Sequence, residues 1–405
     1  MGLIINRAAV WTTAFALVFV FYAHTFLGVQ ASAITPIMAA LIAIGLGALA
    51  FFGLRDGEVI HAKDGRRQLS VLCMVATLAL CVIATVLGLY SHDMGLNDWG
   101  TAAVQVGTPM LLFFSNQRAR LLRAIGVVCV VFALLDLTAN ILDYGDLAHI
   151  ARHVGHEGSQ VYGLHYLGLA GNALAEGMVA FLAATFIAAE LPWASAVERV
   201  VRCVLIAVLL YSLHLIGSRS YLGMALVGVP LIGLRSCWRI PPIATICASA
   251  AASLYATFNA PIDDYEERLR GWLLQDGFEA TQVHPIFGNG ITYQDSTDLY
   301  ATYAKLHAAG VTESGGLDFA IAFGIPALAL LVISSLAALG WLKPMQTWPA
   351  VLLTLLTASL AFAAPFSFLG ATVFWCSLIY CQREERLVIA RYVASPSHRP
   401  SWLWP

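Results

Sequence analysis

Apolar runs recur along the whole chain, and each run of about 20 residues could cross the hydrocarbon core of a bilayer as a helix. Hydrophobic residues make up 59% of the 405 residues and charged residues only 11%, whereas soluble domains carry about 25% charged residues. Only helices and closed barrels satisfy backbone hydrogen bonds at membrane depth, and uninterrupted runs favour helices over alternating strands. The sequence therefore predicts an all-α membrane protein, a single integral-membrane domain over residues 1–405.

The runs predict about twelve transmembrane helices. Two pairs of them are separated by a short turn only, at residues 217–220 and near Pro365. One long polar loop, residues 258–313, separates the ninth span from the tenth. The predicted spans are 8–28, 33–53, 70–90, 101–115, 124–142, 163–189, 202–218, 220–234, 240–257, 314–338, 347–364 and 366–380.

Basic residues alternate with these spans. If the N-terminus is cytoplasmic, seventeen of the 22 lysines and arginines fall on the cytoplasmic side, and five, including Arg219, Arg268 and Arg270, fall on or near the other face. Loops rich in Lys and Arg are generally cytoplasmic. We therefore predict that both termini are cytoplasmic and that the loop 258–313 is outside, which in a bacterium is the periplasmic face of the inner membrane.

The eight cysteines all lie within or at the edges of apolar runs. They show no CxxC spacing, so we expect no structural disulfide and no metal site. We also expect no cofactor and no nucleic-acid partner.

Arg219 lies in the short turn between two predicted spans, next to Tyr221. An arginine in a span costs at least roughly 2.5 kcal/mol, so such a residue usually faces a polar cavity or a partner. Its guanidinium could bind a phosphate or diphosphate through two hydrogen bonds. A snorkelling arginine that pairs with lipid headgroups explains the position equally well.

The long loop contains further candidates. Arg268 and Arg270 precede Trp272, where an amphipathic helix with an interfacial tryptophan is the alternative to a binding role. The segment that begins at His284 and ends at Gly290 combines a proline with two glycines. It predicts a rigid turn whose backbone could approach a ligand, or simply a folded loop.

The loop ends at Glu313, six residues after His307. A carboxylate at the edge of a cavity could act as the general base for a sugar hydroxyl. The alternative is an acidic residue at a helix N-terminus, where Ser314 would be a good cap and the carboxylate would complement the helix dipole.

Two polar stripes run along predicted spans, and ionisable residues within a membrane favour a functional role. Each stripe falls on one helical face. The stripes are Asp136, Asn140 and Asp143 on one span, and His165, Asn172 and Glu176 on the next.

These features occur in an order that resembles the superfamily of O-antigen ligases and Wzy-type polysaccharide polymerases. The resemblance covers roughly residues 160–340, and each motif is short and loose. The matching segments are 172–175 (Asn-Ala-Leu-Ala), 218–220 (Ser-Arg-Ser), 268–272 (Arg-Leu-Arg-Gly-Trp), 285–290 (Pro-Ile-Phe-Gly-Asn-Gly), 313–317 (Glu-Ser-Gly-Gly-Leu) and 323–326 (Phe-Gly-Ile-Pro).

The resemblance implies a metal-independent glycosyltransferase that moves a glycan from undecaprenyl diphosphate to a sugar hydroxyl on the outer face. By position, Arg219 and Arg268 would hold the diphosphate, with Arg270 as an alternative. Glu313, His307 and Arg219 would then be catalytic. The remaining substrate contacts would be Asn172, His165, His284 and Tyr221. A chain-length regulator is a further expected partner, besides the bilayer.

Ligases of this family place a histidine where this chain has Glu313. That departure favours a polymerase, in which the acceptor is another lipid-linked repeat unit, over a ligase that uses lipid A-core. A twelve-span secondary transporter is the alternative from a different class, because the segment 64–67 (Asp-Gly-Arg-Arg) faintly resembles a loop motif of major-facilitator transporters.

Overall fold

The structure is a computed structural model that describes most of the apolar segments and part of the long loop. The described residues are 2–27, 31–55, 65–91, 106–141, 169–170, 173–190, 195–216, 218–233, 240–258, 273–290, 314–340, 347–361 and 368–383. Within these ranges the chain forms helices and turns and no strand, as the sequence predicts.

The helices follow the apolar runs of the sequence. They are α1 (Gly2–Phe19), α2 (Ala23–Leu27), α3 (Ala31–Arg55), α4 (Gly65–Ser91), α5 (106–114), α6 (Arg118–Ile141), α7 (Ala173–Glu190), α8 (Ala196–Ile216), α9 (Arg219–Gly233), α10 (Pro242–Phe258), α11 (273–280), α12 (Gly315–Phe323), α13 (Ile325–Leu339), α14 (Trp348–Ser359) and α15 (Phe368–Arg383).

Among the residues that the structure describes, four helices are long and apolar enough to cross a membrane by themselves, and several others are apolar but shorter. Their exposed surfaces carry large hydrophobic side chains, such as Ile44 and Leu72 at more than 60% exposure. The chain is therefore a helical multi-pass membrane protein. The four long stretches are Pro36–Leu54, Gly65–Gly88, Arg118–Ala139 and Ala196–Ile216.

Two predicted spans are not continuous helices, and the first of them, 8–28, is divided into α1 and α2 by a turn at residues 20–22. The run 314–338 was expected to form one helix, but the structure divides it into α12 and α13 at Gly324. Gly324 has a φ of 90°, which a helix does not tolerate. Pro326 follows two residues later and lacks the N–H that a continuous helix needs.

Contacts between helix termini define two ends of the bundle. At the first, which we call the loop end, Gly88 near the end of α4 lies against Gly290 of the long loop. There the N–H of Gly316, near the start of α12, also donates to the carbonyl of Leu360 at 2.7 Å. Close backbone approach at small residues is the usual way in which membrane helices pack.

The second end, which we call the arginine end because Arg118 and Arg123 lie there, is held together by a buried polar cluster. The hydroxyls of Ser70 and Ser334 each donate to the other residue's carbonyl, at 2.7 and 2.8 Å. The amide Nε2 of Gln382 donates to Ser70 Oγ at 2.9 Å. These bonds join α4, α13 and α15 where no water would compete for them.

Basic side chains stabilise the same end. Arg118, buried to 6% exposure, donates to the carbonyls of Leu112 and Ser115 and so caps the C-terminal end of α5. Arg123 of α6 forms an ion pair with Glu190 of α7 at 3.2 Å. Carbonyls at a helix C-terminus lack helical donors and attract such cations.

Candidate functional site

Arg219 is the first residue of α9, at the loop end of the bundle. Helix α8 ends at Ile216 and α9 starts three residues later, so two helices replace one long run here, as predicted, although residues 219 and 220 already belong to α9. The Arg219 side chain is partly buried. Its helix position matters because the N–H groups of a first turn have no partner within the helix and carry the positive end of the dipole.

Two hydroxyl side chains flank Arg219 against α7. Ser218 and Tyr221 both face Gly177, where an added Cβ would lie 2.1 Å from Ser218 Oγ and 3.1 Å from Tyr221 Cδ2. The ring of Tyr221 is fully buried, with its centroid 5.5 Å from that of Phe181. Within the described part of the chain, neither hydroxyl has a hydrogen-bond partner. Each is therefore a donor available inside the bundle.

Two buried carboxylates lie near this turn. Asp136 of α6 accepts the backbone N–H of Leu169 at 2.6 Å, and Glu176 of α7 accepts the N–H of Ala170 at 2.7 Å. Both side chains are at most 2% exposed. Because the two N–H groups belong to consecutive residues, the carboxylates of two helices hold the same short segment just before α7.

The other members of the polar stripes cannot be placed in the same way. Asp143, His165 and Asn172 lie outside the described residues, as does the side chain of Asn140. Glu176 is directly followed by Gly177, which contacts Ser218. Glu176 therefore lies in the turn of α7 that contacts the start of α9.

The break between α12 and α13 leaves backbone groups that a continuous helix would pair. The carbonyl of Ala322 would accept from residue 326, but Pro326 has no N–H. The carbonyl of Ile321 would accept from Ile325, whose N–H donates instead to the carbonyl of Pro285 at 2.8 Å. Unpaired groups at this depth cost several kcal/mol each, so the break requires donors from elsewhere.

Residues 285–290, which we call the loop clasp, supply those donors. The N–H of Gly290 donates to Ala322 at 2.8 Å, and the N–H of Asn289 donates to Ile321 at 2.8 Å. The side-chain Nδ2 of Asn289 adds a second donor to the Ile321 carbonyl at 3.1 Å. The segments 285–290 and 323–326, two of the motifs that carry the resemblance, therefore lie in contact with each other.

Glycine is required where the loop clasp meets the break. Gly288 and Gly324 have φ values of 68° and 90°, in the left-handed region. A Cβ on Gly288 would lie 2.4 Å from the Ala322 backbone, and one on Gly324 would lie 2.1 Å from the carbonyl oxygen of Ile286. The sequence predicted a turn that could approach a ligand; in the structure its backbone approaches another segment of the same chain.

His284 lies at the start of this turn. Its side chain is exposed, and its carbonyl accepts the N–H of Gly288 at 2.9 Å. The backbone of His284 therefore has a structural role, while its ring is available at the surface of the loop end.

Ser314 caps the N-terminus of α12. Its Oγ accepts the N–H of Leu317 at 3.4 Å and donates to the carbonyl of Leu360 at 3.3 Å. Together with the bond from Gly316 to the same carbonyl, this cap fixes the start of α12 against the end of α14. Glu313 directly precedes this fixed point.

Of the predicted site residues, the structure describes three. It places Arg219 and Tyr221 in one turn of α9 and His284 in the turn that leads into the loop clasp. Sequence reasoning missed Ser218 as a partner of Gly177, although a small residue beside Glu176 in a membrane helix is the usual signal for close packing. The predicted residues outside the described ranges are Glu313, His307, Arg268, Arg270, Asn172 and His165.

No protein-family model matches this chain, and no curated protein matches it either. The likeness to O-antigen ligases and Wzy-type polymerases therefore depends on the order of its short motifs.

Proposed function

We propose that this protein is a polysaccharide polymerase of the bacterial inner membrane. It transfers a glycan from undecaprenyl diphosphate to a hydroxyl of another lipid-linked repeat unit on the periplasmic face. The observation that carries the assignment is the position of Arg219, which begins helix α9 beside two buried hydroxyls with no partner among the described residues.

A topology of twelve spans with both termini in the cytoplasm places this site outside. The contacts of the described helices support that topology, because they join helix ends that share a predicted side. Gly88 meets Gly290 at the end predicted to be periplasmic. Ser70, Ser334 and Gln382 meet at the end predicted to be cytoplasmic.

The start of α9 suits a diphosphate leaving group. A helix N-terminus binds phosphate through backbone N–H groups and the helix dipole. Arg219 adds a fixed cation, and the hydroxyls of Ser218 and Tyr221 add neutral donors. The leaving group gains negative charge in the transition state, so donors that are already in place lower the barrier. Arg268 and Arg270 of the long loop would complete the set.

The acceptor requires a base. In the proposed reaction Glu313 removes the proton of the acceptor hydroxyl, whose oxygen then bonds to the anomeric carbon. The bond from that carbon to the phosphate oxygen breaks, and the lipid diphosphate leaves with the electron pair. Ser314 supports this role, because its cap on α12 would hold the adjacent Glu313 at a fixed depth in the bundle. His307 is the alternative base, and His284, His165 and Asn172 would bind sugar.

Secondary transport remains the second candidate. It is favoured by the two carboxylates buried between helices, Asp136 and Glu176, because such groups often mark ion pathways in membranes. Their bonds to the segment before α7 give them a structural role that requires no transported ion.

The test is polymerisation of purified lipid-linked repeat units in proteoliposomes. We expect Arg219→Ala to abolish chain growth and Arg219→Lys to retain only a small fraction, because lysine cannot bind a phosphate bidentately. The matched control is Arg120→Ala, since Arg120 is an exposed arginine of α6 that bonds only to Gln117 among the described partners.

Three outcomes separate the alternatives. Full-length polymer from Arg219→Ala protein at normal abundance would contradict the site. Product that forms only when lipid A-core is supplied would identify a ligase. Uptake that depends on an ion gradient, without chain growth, would identify a transporter.

A further inference from the structure

The described part of the long loop carries large apolar side chains on its outside. Phe278, Val283, Ile286 and Phe287 are between 39% and 61% exposed, and we call these four residues the apolar lip. Exposed large apolar side chains this close together in the sequence indicate an interaction surface.

The apolar lip lies no farther out than the level at which the bilayer core ends. Gly290 packs on Gly88, whose added Cβ would lie 3.0 Å from Gly290 Cα. At about 1.5 Å rise per residue, Gly88 is about 27 Å along α4 from Ser70 of the arginine end. Ile325, which bonds to Pro285, is only about 14 Å along α13 from Ser334 of the same end. Since the hydrocarbon core is about 30 Å thick, the loop clasp lies no farther out than the boundary of the acyl chains.

The apolar lip also continues surfaces that face lipid. Leu87, next to Gly88 on α4, is 48% exposed, and Ile325 at the start of α13 is 47% exposed. The N–H of Ile325 donates to Pro285, so Ile325 is joined directly to the residue before Ile286. Exposed apolar side chains of these membrane helices contact acyl chains, and the apolar lip extends the same surface.

The backbone of the loop clasp meets the requirement for irregular structure at this depth. Non-helical backbone is tolerated there only when its polar groups are paired within the protein. The N–H groups of Gly288, Asn289 and Gly290 all donate to protein carbonyls. A loop surrounded by water would not need this pairing.

We propose that the apolar lip inserts into the acyl chains of the leaflet at the loop end. Phe287 and Ile286 contact the acyl chains, while the exposed polar residues Glu279 and Gln282 extend toward the headgroups. The first half of the long loop is then anchored at a fixed height over the bundle, whatever reaction the protein catalyses.

The experiment uses photo-crosslinking in the full-length protein. Phe287, and in a separate variant Ile286, is replaced by p-benzoylphenylalanine. This photoreactive side chain is large and apolar, like the residues that it replaces. Gln282 is the matched control because it is exposed in the same turn but polar. Each protein is reconstituted in vesicles of phosphatidylethanolamine and phosphatidylglycerol, checked for monodispersity before reconstitution, irradiated and analysed by mass spectrometry.

We expect phospholipid adducts at positions 286 and 287, at least tenfold more abundant than at position 282. Equal or absent adducts at the three positions would overturn the insertion. In membranes of the producing cells, a crosslink from position 287 to another protein or to a polyprenyl lipid instead of phospholipid would also overturn it. If either variant aggregates, Phe278 provides a third position with the same expectation.

Discussion

The backbone N–H of Gly290 donates to the carbonyl of Ala322 at 2.8 Å, in the place of a bond that Pro326 cannot make. A proline in one membrane segment is thus matched by a glycine of the long loop. Gly290 has a φ of 86°, which favours glycine, and an added Cβ would lie 3.1 Å from Gly88 Cα.

Substituting Gly324 should test how strictly the break depends on glycine. In Gly324→Ala the new methyl group would overlap the carbonyl oxygen of Ile286, 2.1 Å away, at a φ that alanine disfavours. We expect a loss of at least about 2 kcal/mol of stability, as is typical of substitutions that clash or strain the backbone. Thermal unfolding in detergent measures it.

The matched control is Gly47→Ala in α3, where an added Cβ meets nothing within 4 Å. Alanine is the better helix former by about 1 kcal/mol, so this variant should be neutral or slightly more stable. Equal melting temperatures for the two variants would contradict the tight contact at Gly324.

Two substitutions of Asn289 should separate the stability contributed by its side-chain donor from that contributed by its backbone N–H. Asn289→Ala removes only the Nδ2 bond to Ile321, and we expect a cost of about 1 kcal/mol. Asn289→Asp places an acceptor, and a buried charge, against the same carbonyl, so it should cost clearly more. Thermal unfolding of both variants in detergent measures the two losses. A smaller loss of stability for Asn289→Asp than for Asn289→Ala would contradict the assigned bond.

A double-mutant cycle should detect the contact between Gly177 and Ser218. Gly177→Ala introduces a methyl group 2.1 Å from Ser218 Oγ and should destabilise the protein and reduce polymer formation. Ser218→Gly removes the clashing atoms, so the double variant should recover stability by a coupling of about 1 kcal/mol or more. Strictly additive effects would show that the two residues do not touch.

Alanine substitutions of Ser70 and Ser334 at the arginine end should lower the stability of the protein by unequal amounts. Ser334→Ala removes the donor to the Ser70 carbonyl but leaves the Ser70 hydroxyl with the carbonyl of residue 334 and with Gln382. Ser70→Ala removes that hydroxyl and deprives Gln382 Nε2 of its acceptor. Hydrogen bonds between membrane helices are worth about 0.6 kcal/mol each, so Ser70→Ala should lower the melting temperature more. The reverse order would contradict the described cluster.

The sequence predicted the helical class and the turn before Arg219 because both depend on local patterns. Apolar runs report membrane helices directly, and the short polar interval at 217–220 indicated a break between two helices. The break at Gly324 was missed although Gly-Ile-Pro is a local signal for it. The run on either side is so apolar that length alone favoured one helix.

The partner of the loop clasp could not be predicted in this way. Asn289 and Ile321 are 32 residues apart, and no periodicity connects a loop turn to carbonyls freed by a distant proline. The same holds for Gly177 and Ser218. The residue types indicated turns and close packing, whereas the pairing of segments depends on the three-dimensional arrangement of the helices.

Ser70 and Ser334 are 264 residues apart, and this separation has a consequence for biogenesis. Helix α4 is synthesised and inserted long before α13 leaves the ribosome. Until then the Ser70 hydroxyl can bond to a carbonyl of its own helix. A chain that stops before α13 leaves the Ser70 hydroxyl without the carbonyl of Ser334. The pairing of Ser70 is therefore completed only after most of the chain has been made.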